Sequence, residues 1–174
     1  ESGEAQYPAD QIQVISIEAL DDSGWGSAAS VYAALELAAA AKPDVVNMSF
    51  AGWNTDANAA IAEGIVLIQE QCPGAALVAA AGNQGVDVAH VVPASLPGVI
   101  AVGACDENGE PLASSNYGQR VNCWVEAGST SQASARQSAF LAAGTTAIQS
   151  ASDETDAAEG QTASDDNADS GVYA

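Results

Sequence analysis

Asn83 is the residue whose chemistry is easiest to name. It follows the apolar run Ala75–Ala81, sits after Gly82 and comes two positions before Gly85. A side-chain amide placed there projects from the end of a buried strand and can donate to an oxyanion developing on a substrate. Read locally, it is equally an Asn in a glycine-flanked turn. Ser49-Phe50-Ala51-Gly52 also ends an apolar run. Ligands of open α/β sheets bind at such an edge. Nucleophilic serine chemistry needs a serine, a histidine base and an acid that orients it. The chain has a single histidine, His90, in the stretch between Asn83 and Pro93. A lone loop histidine reads as a surface residue. Asp22-Ser23-Gly24 follows a strand-like run and reads as a turn. Ser129, Ser131, Ser134 and Ser138 lie in a Ser-, Thr- and Ala-rich stretch, which reads as a surface loop.

The elements that must hold these groups follow from periodicity. Gln11–Leu20 alternates and is β-branched, predicting a strand, and Asp21–Gly24 a turn. Gly26–Lys42 is Ala- and Leu-rich and stops at Pro43, predicting a helix. Asp44–Phe50 is a second strand. Asn54–Gln71 places Ile61, Ile65 and Ile68 at helical spacing, with Asn54 or Thr55 as cap. Ala75–Ala81, Val99–Ala104 and Asn122–Val125 complete the strands. Apolar strands alternating with helices predict a parallel sheet covered on both faces. From Ser150 onward the chain is Asp, Ser, Ala and Gly with few large apolar side chains, so residues 150–174 read as a disordered acidic tail after a folded unit of residues 1–149.

Composition removes several function classes. Three Lys and Arg stand against 23 Asp and Glu, a formal net charge of −20. Such a surface repels phosphate backbones and anionic membranes, which excludes nucleic-acid partners and membrane association. No apolar run reaches 18 residues, and Glu1–Asp10 lacks the features of a signal peptide. Solubility in high salt and cation binding both fit the acidity. The former is preferred, because no Asp-rich loop matches an EF-hand spacing. Cys72, Cys105 and Cys123 are too widely spaced for a zinc cluster or a dense disulfide framework. No glycine-rich phosphate loop supports a small-ligand α/β module.

Four stretches in order carry a resemblance: Val45–Gly52, Val78–Gly85, Pro93–Ala104, and Ser114–Gly118 with the strand and turn to Gly128. Together they resemble the subtilisin-like serine proteases, over about Gln11 to Ala147. The resemblance implies an α/β, parallel-sheet three-layer core, incomplete at its N-terminal side. It implies that Asn83 is the oxyanion donor and that Ser49, Phe50, Ala51 and Gly52 bind a peptide or protein substrate. Ala51 stands where the family often has Gly, which crowds the peptide path slightly. It also implies secretion, and calcium as the one cofactor to expect; the residues themselves call for none.

The family's Asp and His motifs precede the stretch matching Gln11–Leu20. Asp10 comes too late and lacks the surrounding pattern. The nucleophile motif, Gly-Thr-Ser-x-Ala-x-Pro, counted from Gly128, falls on Gly144-Thr145-Thr146-Ala147, so Thr146 takes the serine's place, with no Pro at the family position. An internal threonine has no N-terminal amine to act as base, and its methyl restricts χ1. The reading is therefore a subtilase-like domain, inactive as this chain, that keeps a peptide-binding edge. The alternatives are a fragment of an active serine endopeptidase whose Asp and His lie on an upstream segment, and a non-protease α/β binding module. In the family a strand bearing the Asp lies between those matching Gln11–Leu20 and Asp44–Phe50. Either an upstream segment or a second chain supplies it, or the two strands pair directly.

Overall fold

The computed structural model describes residues 12–144 and 171–173. Its centre is a four-stranded parallel sheet in the order β2 (Val45–Met48), β4 (Ala76–Ala80), β6 (Val99–Cys105), β7 (Val121–Glu126). Alternation along the strands divides the core between two faces. Leu77, Ala79 and Ala101 face one cluster, with Val31 and Leu35 of α1 (Ala28–Ala41) and Ile61, Ile65 and Ile68 of α2 (Ala59–Gln71). Val78 and Val102 face the other, with Cys123, Val125 and Ala133 of α3 (Thr130–Ala142). A parallel sheet with helices on both faces is the three-layer arrangement that its apolar strands require.

Local chemistry sets the helix ends. Ser27 caps α1 in a reciprocal box with Ser30, and Lys42 closes it in the left-handed region at φ 53° just before Pro43. Gly64 lets α2 approach α1 closely, because a Cβ there would lie 2.5 Å from Leu35 Cδ1. The cap of α2 is Asn58, preceded by a 3-10 turn at Asp56–Asn58, rather than Asn54 or Thr55.

Three expectations are corrected. Within Gln11–Leu20 the described residues from Ile12 onward form no strand, and Val14 and Ile15 are exposed. Alternation makes a segment fit for a sheet, but a strand exists only where a neighbour accepts its hydrogen bonds. These residues do not pair with β2, so the direct pairing of the two runs does not occur, and β2 forms one edge of the parallel sheet. The serines of 129–138 are not on a surface loop. Ser129 caps α3, and Ser134 and Ser138 are buried on its inner face. Finally, the last residues of the acidic segment are ordered: Val172–Tyr173 is strand β8. The rest of that segment lies outside the described residues.

A second, antiparallel sheet has the order β1 (Trp25–Gly26), β8, β3 (Ala51–Trp53), β5 (Val91–Val92). Its position at the carboxyl end of β2 is fixed by chain continuity, since only Ser49 and Phe50 separate β2 from β3.

Candidate active site

Carboxyl ends of parallel strands are where open α/β sheets bind ligands. One cleft opens there, and Ser49, Phe50 and Ala51 line it together with Asn83, Thr130 and Ser131. The sequence brings these in from three separate stretches. Gly52 sits behind the lining, where a Cβ would lie 3.3 Å from Val172 Cγ2.

The loop carrying Asn83 is held by a buried asparagine from the fourth resembling stretch. Asn116 Nδ2 donates to Ala81 O at 2.7 Å, and its Oδ1 accepts from the backbone N–H groups of Gln84 at 3.0 Å and Val86 at 3.1 Å. Gly82 precedes Asn83 at φ 103°, and a Cβ there would lie 2.3 Å from Asn116 Nδ2. Only glycine satisfies both the backbone angle and that contact.

Asn83 itself is oriented by helix α3. Its Oδ1 accepts from Thr130 N–H and from Thr130 Oγ1, each at 3.0 Å. The Thr130 N–H can only donate, so the carbonyl oxygen must face it and the amide nitrogen must turn away. Asn83 Nδ2 has no protein acceptor among the described residues. Thr130 Oγ1 in turn accepts from Gly82 N–H at 3.2 Å, which ties the loop to the helix start.

Ser131 follows directly, in the first turn of α3. First-turn N–H groups have no intrahelical acceptor, and the helix dipole makes this end favourable for negative charge. Its carbonyl accepts from Ser49 Oγ at 3.3 Å and Ser134 Oγ at 3.1 Å, whereas its own hydroxyl has no protein hydrogen bond among the described residues. Ser49 also accepts from Asn47 Nδ2 at 2.8 Å, and Asn47 Oδ1 accepts from Ser138 Oγ at 3.1 Å. This chain of small polar groups locks β2 to α3, so Ser131 and Asn83 line one cleft from fixed supports.

Thr146, the expected nucleophile position, lies outside the described residues. The serine that sequence reasoning passed over is Ser131. Its signal is Thr130-Ser131-Gln132-Ala133-Ser134-Ala135, which reads Thr-Ser-x-Ala-x followed by Ala in place of Pro. Counting on from Gly128 to Gly144 steps over it, since only Ala127, Gly128 and Ser129 separate β7 from α3. His90 is exposed at the end of a 3-10 turn and does not line the cleft. Asp22-Ser23-Gly24 is a turn: Asp21 Oδ1 accepts from Ser23 N–H, Ser23 Oγ and Trp25 N–H, which holds its carboxyl below the usual range. Among the described residues no cluster of His, Cys, Asp and Glu could hold a metal ion. None of their helices is long and apolar enough to cross a membrane.

Comparisons with known proteins give the family and the fold. The sequence model of the Subtilase family matches residues 8–169. The chain belongs to the subtilase family. Subtilisin-like protease 7 of Arthroderma gypseum is 35% identical over 127 residues, covering 67% of this chain and 30% of that protein. Alkaline serine protease ver112 of Corniculantispora psalliotae is 32% identical over 124 residues, covering 67% and 31%. This subtilase chain thus spans about a third of the length of these curated relatives. A cold-adapted subtilisin-like serine proteinase shares the fold at TM-score 0.66 and 22% identity, over 72% of this chain and 50% of that one. The prenylagaramide maturation protease PagA superposes at TM-score 0.59 and 27% identity, over 75% and 52%.

Proposed function

We propose that this chain carries the nucleophile and oxyanion half of a serine endopeptidase site, with Ser131 as nucleophile. The observation that carries the reading is that Ser131 and Asn83 line one cleft, with Asn83 turned by Thr130 so that its Nδ2 has no protein acceptor among the described residues. Attack of Ser131 Oγ on a peptide carbonyl would place negative charge on the carbonyl oxygen. Asn83 Nδ2 and the first-turn N–H of Ser131 are the donors for it, at the positive end of α3. In subtilisin, a member of the same family, loss of such an amide donor costs about 10²–10³ in kcat. The backbone of Ser49–Gly52 holds the peptide as an added strand.

Among the described residues no histidine lines the cleft, since His90 lies away from it. On this reading the chain needs a base from elsewhere before it can hydrolyse a peptide. A base and an orienting acid come from an upstream segment or a second chain that adds a strand along the edge of β2. The substrate is a peptide or protein in extended form.

The test is labelling by a fluorophosphonate probe, which reports an activated serine. The 174-residue chain is compared with the chain extended by whatever its gene encodes ahead of Glu1. The expected result is no labelling of the chain alone and labelling at Ser131 in the extended protein, abolished by Ser131→Ala. Labelling that survives Ser131→Ala overturns the assignment.

A further inference from the structure

The Ala51–Gly52 edge of the cleft already carries a paired strand. Strand β8 lies between β1 and β3 and runs antiparallel to both. Tyr173 is opposite Trp25 on one side and Ala51 on the other. Val172 is opposite Gly26 and Gly52 in the same way. A short segment paired on both edges is how an extended peptide is held when it completes a sheet. Without β8, β1 and β3 would have no strand between them.

The side chains fit as well as the backbone. Val172 is fully buried and joins the core cluster that contains Ile61 and Met48. Gly52 is the residue that allows this, because any Cβ there would press on Val172 Cγ2 at 3.3 Å and come within 3.5 Å of Gly171 O. The ring of Tyr173 lies against Trp25, with centroids 5.7 Å apart and planes at 55°, and it lines the cleft beside Ser131 and Asn83. This composition is unlike the acidic residues before it in sequence. In the run from Ser150 to the end, Val172 and Tyr173 are the only large apolar side chains.

We infer that Gly171-Val172-Tyr173 is the intramolecular ligand of the cleft: the chain blocks its own peptide site, and the site selects extended segments in which a β-branched aliphatic residue precedes an aromatic one. This rests on the proposed function only in taking the cleft as a peptide site. A tethered segment competes at an effective concentration on the order of 1 mM, so if the free peptide binds at about 0.1 mM, the tether weakens binding of an outside peptide roughly tenfold.

The probe is a fluorescein-labelled peptide with the sequence of residues 168–174, followed by anisotropy against the intact chain and against a chain ending at Ser170. The expected result is saturable binding to the shortened chain, at least about tenfold weaker binding to the intact chain, and none for the same peptide with Asp in place of the Val. Equal binding to both chains, or binding to neither, overturns the inference. Urea denaturation establishes that the shortened chain is folded; if it is not, intact chain carrying Tyr173→Ala replaces it. Amide hydrogen exchange of the intact chain reads the same contact independently. Val172 and Tyr173 are expected to be protected, and exchange at the rate of an unstructured chain overturns the inference. Fluorophosphonate labelling of Ser131 is a separate readout, taken in the extended protein ending at Ser170 so that the tail cannot shield the serine. Labelling there together with equal peptide binding to the intact and shortened chains defeats only this inference, and no labelling there together with the expected peptide binding defeats only the nucleophile assignment.

Discussion

Replacing Asn83 by Ala and by Asp separates the two tasks of this side chain. Its Oδ1 accepts two hydrogen bonds from Thr130, and Thr130 is fully buried. Ala removes both and leaves a buried N–H and hydroxyl to find water through the space vacated in the cleft. Net hydrogen bonds contribute about 1 kcal/mol each, and Asn83 is itself exposed, so the loss is about 1–2 kcal/mol. For a chain of this length that lowers Tm by roughly 3–6 °C. Asp keeps two acceptors in nearly the same place, and its charge at the start of α3 adds about 0.3–1 kcal/mol of favourable dipole interaction. Repulsion from the acidic surface is largely screened at about 0.15 M salt. The expected order of stability is therefore Asn83→Asp equal to or above the parent, and Asn83→Ala below it. Both variants lack the amide donor, so both lose oxyanion stabilisation whatever their stability. Thermal and urea unfolding of the chain alone measure the first effect. If Asn83→Asp is as destabilised as Asn83→Ala, or if Asn83→Ala is neutral, then Thr130 does not orient this amide and the argument for a free Nδ2 falls.

Four further outcomes are expected. Gly64→Ala gains about 1 kcal/mol of helix propensity but presses on Leu35, so urea unfolding should give a net loss of about 1–2 kcal/mol. Gln137 is fully buried, and neither its Nε2 nor its Oε1 has a partner among the described residues, so Gln137→Met should leave the urea midpoint unchanged or raise it by the equivalent of about 1–2 kcal/mol; a clear loss refutes the unpaired amide. Asn116→Ala removes four hydrogen bonds that hold the Asn83 loop and should cost about 2–4 kcal/mol in the same assay. Burial pushes the Cys123 thiol up to about 11, and burial followed by the nearby Asp106 and Glu126 carboxylates raises Cys105. Since the folded state then holds the proton more tightly than the unfolded one, the stability from Cys123 is fully present below about pH 9 and is lost as pH rises toward 11. Stability measured across that range should fall less in Cys123→Ala than in the parent.

Much of the fold was legible because it rests on local pattern. The apolar runs that became β2, β4, β6 and β7, the Ala-rich helix that ends at Pro43, and the isoleucines of α2 each declare their period and their stops within about twenty residues. Asn83 was legible for the same reason, since a glycine-flanked turn after a buried strand can be read in sequence order. Ile12–Leu20 has a strand's pattern yet forms none, because pairing belongs to the neighbour and not to the segment. Helix α3 was hidden by its composition. Ser, Thr, Gln and Ala look like loop, and only packing against the sheet makes Ala133, Ser134, Gln137 and Ser138 an inner face.

The sequence by itself therefore determined the strands of the parallel sheet and the helices α1 and α2. Tertiary structure alone decided that Ser131 lines one cleft with Asn83 and that β8 pairs between β1 and β3. The first depends on where α3 begins in space, fixed by bonds from Thr130 to a loop 47 residues earlier. The second depends on a strand pairing between residues 51 and 173. Contacts that distant leave no periodicity along the chain, so they become visible only when the backbone has closed on itself.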